Sequence, residues 1–153
     1  MTRAVAETQG YSIFCDDIRE EINAKTTLVG MYSGEMLVAA AGPVLVPQLC
    51  YMGKVFFNPA AAPSTISIVL RRYQSDGEML EIGRMDLPPI AEIPVPPKPM
   101  SYGPGESMVQ INAALRISPL AVEADFTLRS ILIVDGIERP IGSMTVKLVD
   151  SLP

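Results

Sequence analysis

The sequence predicts an all-β fold, an antiparallel β-sandwich of about eight or nine strands that is loosely immunoglobulin-like, with at most one or two short helical turns. The first observation is the pair Asp135-Gly136, which follows a run that alternates apolar and polar residues from Phe126 onward. Such pairs favour β-hairpin turns because they tolerate positive φ angles. The second is a similar turn at Asp76-Gly77, and the third is the lack of any long run with helical periodicity.

Length and composition describe a single globular domain. The chain has 153 residues, of which 48% are hydrophobic and 19% charged, as is typical of a folded protein. Residues 1–10 are polar and are expected to form a flexible N-terminus, so that the β-sandwich domain comprises residues 11–153. These first residues lack the apolar segment of a secretory signal, and we therefore expect a cytoplasmic protein.

Charge and hydropathy argue against two classes of partner. The net charge is −5, with 12 basic and 17 acidic residues, whereas a protein that neutralises phosphates presents a basic surface. No segment approaches the roughly 20 apolar residues that cross a bilayer. We therefore expect neither nucleic acid nor a membrane as a partner.

The first half of the chain is predicted to contain four strands, at residues 11–15, 26–32, 36–40 and 48–57. A turn signal, Ser33-Gly34-Glu35, joins the second strand to the third and predicts a hairpin. The fourth strand is apolar on both faces, which indicates a central strand that is covered on both sides. Between the first two strands, Ile18 and Ile22 lie four residues apart in a polar segment, a spacing that favours one or two helical turns.

The second half is predicted to contain five strands, at residues 65–73, 79–86, 108–117, 126–134 and 141–148. The third of these alternates most regularly, with Val109, Ile111 and Ala113 on one face. Seven prolines occur between residues 88 and 104. Because proline cannot donate to a strand ladder, residues 88–105 are predicted to form an extended crossing loop.

Two segments resemble a bacterial family of small proteins whose function is uncharacterised. The N-terminal match is the motif Cys-Asp-Asp-Ile-Arg-Glu-Glu at residues 15–21, and it extends to residues 28–32. The C-terminal match consists of Phe126 and Leu128 followed by the Asp135-Gly136 hairpin. The resemblance implies a small standalone β-sandwich and brings no catalytic residues with it.

The chain contains no histidine. Serine-type triads, papain-like dyads and most zinc sites depend on imidazole, and the sequence therefore excludes them. Only carboxylate, lysine or cysteine chemistry remains. We predict a protein that is not an enzyme and has no cofactor.

One cluster is dense enough in carboxylates to attract a hard cation, namely Asp16, Asp17, Glu20 and Glu21. Calcium binds about six to eight oxygen ligands, and carboxylates at a strand end supply several of them. The alternative is that Asp16 or Asp17 caps the helical turn while the others are solvated, since carboxylates favour helix N-termini. The nearby cations Arg19 and Lys25 favour this second interpretation.

The proline-rich segment is a candidate partner-binding surface. Pro94, Pro96 and Pro97, with Tyr102 beyond them, have the composition of a polyproline II ligand for an aromatic groove. A bridge between two sheets, stiffened by proline, has the same composition, and in a compact domain we favour the bridge.

A second candidate surface lies on the strand at residues 126–134. Ile131 and Ile133 are apolar on the face that they share with Thr127 and Arg129. A strand that is apolar on both faces must be covered twice, either by two layers of the monomer or by another subunit. This predicts self-association through this sheet or through an exposed edge, and hence a possible homo-oligomer.

The two cysteines, Cys15 and Cys50, are too few for a disulfide framework and are predicted to be buried thiols. A reactive thiolate requires a neighbouring positive charge or a helix N-terminus. Cys15 instead precedes two aspartates, which are expected to raise its pKa.

These observations predict a non-catalytic binding or assembly module that binds a protein partner or itself through sheet edges and loops. Two alternatives remain open. One is a calcium-dependent module centred on the acidic cluster. The other is a structural subunit of a phage-like particle, which rests on analogy of fold alone.

Overall fold

The computed structural model describes residues 2–92, 100–104 and 106–153, and for residues 100–102 and 106 it describes the backbone alone. The described chain begins with a short helix, α1 (Arg3–Glu7), and continues with twelve strands. These are β1 (Gln9–Glu20), β2 (Thr26–Met31), β3 (Glu35–Ala39), β4 (Val44–Val46), β5 (Leu49–Phe57), β6 (Ile66–Gln74), β7 (Met79–Asp86), β8 (Met100–Gly103), β9 (Glu106–Ile117), β10 (Leu120–Val122), β11 (Phe126–Val134) and β12 (Ile137–Val149). Single 3-10 turns lie at Ile22–Ala24, Pro59–Ala61 and Ile90–Glu92.

Two five-stranded sheets form a β-sandwich. Sheet A has the order β2-β1-β5-β9-β8, in which every neighbouring pair is antiparallel. Sheet B has the order β3-β12-β11-β6-β7 and contains one parallel pair, β3 with β12. β4 and β10 form a separate antiparallel ribbon. The predicted all-β sandwich is confirmed, and β5 lies at the centre of its sheet as predicted.

Both predicted Asp-Gly hairpins are present in sheet B. β6 and β7 are joined through Asp76-Gly77, and β11 and β12 through Asp135-Gly136. Asp135 (φ 49°) and Gly136 (φ 81°) both have the positive φ that a type I′ turn requires. Asp135 also holds the segment before β6, because its Oδ1 accepts hydrogen bonds from the Ser64 N–H at 2.8 Å and the Thr65 N–H at 2.9 Å.

The core is filled by side chains that alternate inward from both sheets. β5 contributes Leu49, Tyr51, Val55 and Phe57, each at most 1% exposed. Sheet B contributes a larger aliphatic set that includes Ile66, Ile68, Leu70, Leu128, Leu132, Val134, Met144 and Val146. Burial of such side chains, at roughly 1.5–3 kcal/mol each, is the main contribution to stability.

One polar contact crosses this core. The Tyr51 hydroxyl on β5 hydrogen-bonds the Ser130 hydroxyl on β11, and both residues are fully buried. Burial raises the pKa of Tyr51 to about 12, although hydrogen bonds with Ser130 and Ser12 act in the opposite direction. The phenol is therefore neutral at physiological pH, and its hydroxyl links the two sheets.

The sheets approach each other closely around this contact. A Cβ on Gly53 of β5 would lie 2.9 Å from the Ile68 Cδ1 of the opposite sheet. A Cβ on Gly142 of β12 would overlap the Ser12 hydroxyl, which itself donates to the Ile141 C=O at 3.2 Å. A side chain at either position would force these neighbouring side chains to move.

The helical turn predicted around residues 16–22 is wrong. Residues 16–20 continue β1 and pair with β2, so that Glu20 lies opposite Thr26. The chain reverses only afterwards, in the 3-10 turn Ile22–Ala24, where the Glu21 N–H donates to the Lys25 C=O at 2.7 Å. The strand ladder prevails because Ile22 is 84% exposed, and a helix there would have no core surface to cover. Asp16 and Asp17 therefore cap no helix.

The predicted hairpin between residues 26–32 and 36–40 is also wrong, although both strands exist. β2 lies in sheet A, whereas β3 lies in sheet B and pairs in parallel with β12. Gly34 (φ 102°) lies in the turn that carries the chain between the sheets, and its carbonyl accepts a hydrogen bond from the Thr145 N–H at 2.9 Å. This route buries Met36 in the core.

The first residues pack against the domain that was predicted to begin at residue 11. The Thr2 hydroxyl caps α1 by accepting from the Val5 N–H at 3.3 Å, and Val5 is fully buried. Arg139 of β12 donates to the Thr8 C=O. The first strand then begins at Gln9.

The proline-rich connection leads from sheet B to sheet A, since β7 and β8 belong to different sheets. Leu87 and Ile90 pack against the core, and residues 93–99 lie outside the described residues. β8 falls within the predicted crossing loop, which is therefore strand in part. In the described parts of the chain, no helix is both long enough and apolar enough to span a membrane.

The two core hydroxyls are expected to contribute to stability as a pair. Tyr51→Phe leaves the Ser130 hydroxyl buried without this partner, and Ser130→Ala does the same to Tyr51. Each variant is expected to lower the free energy of unfolding by about 1–3 kcal/mol. The double variant removes both polar groups, and its loss is expected to be smaller than the sum. Urea denaturation of the four proteins measures this coupling, and additive losses would contradict it.

Candidate functional site

The four carboxylates predicted as cation ligands do not converge. Asp16 and Asp17 are successive residues of β1 and point to opposite faces of sheet A, Glu20 ends the strand, and Glu21 precedes the following turn. In the described part of the chain, no three acidic or cysteine side chains are close enough to share a metal ion. The physical reason is that an extended strand spreads residues 16–20 over about 13 Å.

Asp16 and Asp17 make separate local contacts instead. Asp16 accepts a hydrogen bond from the Tyr32 hydroxyl. The Asp17 Oδ2 accepts from the Arg19 Nε at 3.2 Å, and its Oδ1 lies 3.5 Å from the Arg116 Nη2. The hydrogen bond from Arg19, followed by that from Gln48, lowers the pKa of Asp17. This carboxylate therefore stays ionised within a small group of charges at one end of sheet A.

Most of the proline-rich candidates cannot be placed. Pro94, Pro96 and Pro97 lie outside the described residues, and so does the side chain of Tyr102, whose backbone belongs to β8. Binding of a partner through this segment stays a prediction.

Ile131 and Ile133 lie on the outer face of sheet B, but an ion pair shields the first of them. Ile131 is only 6% exposed and Ile133 is half-buried. Arg71 on β6 and Glu138 on β12 flank β11 and form two hydrogen bonds, at 2.9 and 2.5 Å. On β11, Arg71 is opposite Arg129 and Glu138 is opposite Ile133. The line between the two charged side chains therefore crosses β11 at Ile131, which lies midway between these positions. Charged side chains of the monomer, rather than another subunit, account for its burial.

The rest of this outer face is also dominated by paired charges. The Arg84 Nε lies 3.0 Å from the Asp86 Oδ1, and its Nη1 lies 3.1 Å from the Glu81 Oε1. The Lys147 Nζ lies 2.5 Å from the Glu35 Oε1. The hydrogen bond with Asp86 raises the pKa of Arg84. Sheet B therefore presents a polar surface that neutralises its own charges.

The outer face of sheet A is different, because it carries an apolar patch. We call the following set the apolar face: the outward side chains in the middle of β1, β2 and β5, which are Tyr11, Ile13, Cys15, Val29, Met31, Cys50, Met52, Lys54 and Phe56. Lys54 is the one charge in this set, and the outward positions beside it are polar or charged, namely Asp17 and Arg19 on β1 and Gln110, Asn112 and Arg116 on β9. Met31 is 63% exposed and Tyr11 43% exposed, whereas Cys15 and Cys50 are fully buried beneath their neighbours.

A cleft of about 960 Å³ opens at one end of the apolar face. Its lining includes Tyr11 and Phe56, whose rings stack with centroids 5.9 Å apart, together with Met108 of β9. α1 and the Pro59–Ala61 turn also contribute to the lining. The described lining contains one carboxylate, Glu7, and no lysine or cysteine.

The two cysteines lie side by side in the apolar face. Cys15 on β1 and Cys50 on β5 are direct cross-strand partners, and both thiols are free and buried, as predicted. Burial, followed by the proximity of Cys50 and of Asp16, raises the pKa of Cys15 to about 11. The direction agrees with the prediction from sequence, but loss of solvation contributes more than the aspartates do.

The part of the apolar face that β5 contributes was detectable in the sequence, because residues 48–57 are apolar on both faces of the strand. That pattern predicted a strand that is covered by one layer on each face. In the described parts of the chain, sheet B lies over the inner side of β5 and no second sheet lies over the outer side. The outward positions of β1 and β2 show no pattern of their own, and only the strand register brings them next to β5.

No family model matches this chain, and no curated protein does. The fold and the site define a β-sandwich with one outer face of paired charges and one that carries an apolar patch. The resemblance of residues 15–21 to an uncharacterised bacterial family stays a prediction.

The Cys15 thiol is expected to react slowly with alkylating reagents in the folded protein. Only the thiolate is nucleophilic, and a pKa of about 11 is well above the 9.0 of an ordinary thiol. The reactive fraction at pH 8 is therefore about a hundredfold smaller. In a Cys50→Ala variant, iodoacetamide labelling followed by mass spectrometry is expected to accelerate up to pH 11. The unfolded variant is the control and reaches half of its maximal rate near pH 9, and the same midpoint in the folded protein would contradict the prediction.

Proposed function

We propose that this protein is a non-catalytic assembly module whose working surface is the apolar face, covered by a second copy of the same chain. The contrast between the two outer faces carries the proposal. Pairs such as Arg71–Glu138 neutralise the outer face of sheet B, whereas Tyr11, Ile13 and Met31 leave sheet A apolar. A sheet face that is exposed to water normally carries polar residues at its outward positions. A contiguous apolar surface is instead typical of an interface.

The shape of sheet A favours a second copy as the partner. The three strands of the apolar face, about 4.8 Å apart and about 30 Å long, give a surface of roughly 400–450 Å². This is about half of the roughly 800 Å² that a standard interface buries on each partner, so the proposed dimer also buries the cleft walls. A flat sheet packs well against another flat sheet, whereas an extended peptide binds to an edge or a groove.

The other expected functions receive less support. A calcium-dependent module requires converging carboxylates, and Asp16, Asp17, Glu20 and Glu21 are spread along β1 and the turn after it. A subunit of a phage-like particle needs further contacts besides this face and rests on analogy of fold. The two free thiols favour a reducing compartment such as the cytoplasm.

A charge on the apolar face is expected to separate the subunits. Tyr11→Glu buries a carboxylate in the proposed interface, so the variant is expected to be a monomer at concentrations at which the wild type is a dimer. Sedimentation velocity over a concentration series measures this change. Met79→Glu is the matched control, because Met79 is 47% exposed on β7 of the opposite sheet.

Two outcomes would contradict the dimer. One is a wild type that stays monomeric at the highest concentration reached. The other is equal dissociation of the Tyr11→Glu and Met79→Glu variants when circular dichroism finds both folded. A species much larger than a dimer would replace this proposal with that of a particle subunit.

A further inference from the structure

Four sulfur-containing side chains lie next to one another within the apolar face. Cys15 on β1 is the direct cross-strand partner of both Met31 on β2 and Cys50 on β5. Met52 is two residues from Cys50 and on the same side of β5, diagonally opposite Cys15 because its own partner is Ile13. We call these four residues the sulfur cluster.

Strand geometry brings these sulfur atoms within reach of one ion. Directly opposed residues of antiparallel strands have Cβ atoms about 4.5–5.5 Å apart, and diagonal neighbours lie about 7–8 Å apart. The methionine side chain is long and flexible, so its sulfur adapts to the position of a neighbour. Met31 and Cys50 lie on opposite sides of Cys15, so the three sulfurs meet at one point when the long Met31 side chain folds over Cys15.

The donor atoms select the class of ion. Thiolate and thioether are soft ligands that prefer Cu⁺, whereas calcium and magnesium require oxygen ligands. We propose that the sulfur cluster is a binding site for a soft monovalent cation of the Cu⁺ type, held by the sulfurs of Cys15 and Cys50 and completed by that of Met31. Binding replaces one proton on each thiol, and both protons leave to solvent. The complex then carries a single negative charge.

Both signs of charge surround the site. Asp16 and Asp17 lie next to Cys15 and oppose a negative charge there, whereas one cation favours it. Arg116 of β9 is the cross-strand partner of Cys50 and so continues the row Met31–Cys15–Cys50 on its other side. Its side chain is 55% exposed, and its guanidinium lies near Asp17 at the same end of sheet A. A cation at this position offsets the charge of a two-thiolate complex.

Entry of a small ion requires the movement of side chains only. Both thiols are fully buried, but they lie on the outer side of the sheet, outside the core cluster between the sheets. Met31 is 63% exposed on β2, which forms one edge of sheet A. All of the proposed ligands come from one chain, so the site needs no second copy. The site lies within the apolar face, however, so a charged complex there is expected to oppose the proposed dimer.

Competition for Cu⁺ with a chromogenic chelator, under anaerobic conditions, tests the site. The wild type is expected to withdraw a single equivalent of Cu⁺ and to develop an ultraviolet thiolate-to-copper charge-transfer band. The Cys15→Ser/Cys50→Ser variant is expected to lose both. Met31→Leu is expected to lower the affinity on the order of tenfold, the size of effect that partners beyond the direct ligands already have. Met79→Leu, an exposed methionine far from the cluster, is the control and is expected to match the wild type.

Three outcomes would overturn the copper site. They are a wild type that does not compete, a double cysteine variant that still withdraws the equivalent, and equal affinities of Met31→Leu and Met79→Leu. The comparison of Met31→Leu with Met79→Leu tests the copper site even if the double cysteine variant does not fold. Tyr11→Glu, designed to be monomeric, is expected to bind Cu⁺ at least as tightly as the wild type does, which separates a failure of the dimer from a failure of the site.

Discussion

The contact between the Tyr51 and Ser130 hydroxyls is the constraint on which the rest of the structure depends. A buried hydroxyl without a partner is costly, so the pair ties one position of β5 to one position of β11. Gly53 and Gly142 leave the space that lets the sheets come close enough for this bond. With inward positions fixed, strand alternation determines which side chains face outward. The apolar face is thus a consequence of a contact made in the core.

The two outer faces differ in what covers their aliphatic side chains. On sheet B, Val69 and Ile131 are paired across β6 and β11, and both are nearly inaccessible. The hydrogen-bonded pair of Arg71 and Glu138 shields this small apolar layer, since long side chains cover apolar surface while their charges stay in water. On sheet A the outward side chains of the apolar face are short or apolar apart from Lys54, and the long cations Arg19 and Arg116 lie beside it. Side chains of the monomer shield the first surface, and the proposed dimer would cover the second.

Local signals in the sequence predicted much of the fold, but the pairing of distant segments could not be predicted from the sequence. Positive φ at Asp135-Gly136 and alternation along β6 and β11 depend on neighbouring residues, and both hairpins were correctly predicted. The segment from Asp16 to Ile22 was misread because Ile18 and Ile22 have a helical spacing, yet the ladder with β2 decides its structure. The row formed by Met31, Cys15 and Cys50 has no local signal at all. It exists only through the register of three strands, which no single segment encodes.

The parallel pairing of β3 with β12 has a consequence for biosynthesis. β3 lies at the edge of sheet B, so β12 is its sole neighbour in that sheet, and a ribosome makes β12 long after β3. Until then Met36 has no strand partner beside it, and a hydrophobic residue of the nascent chain remains available to chaperones or to other chains. Non-local pairings of this kind slow folding and prolong exposure. The pairing of β3 with β12 therefore joins two segments that are about 100 residues apart in the chain.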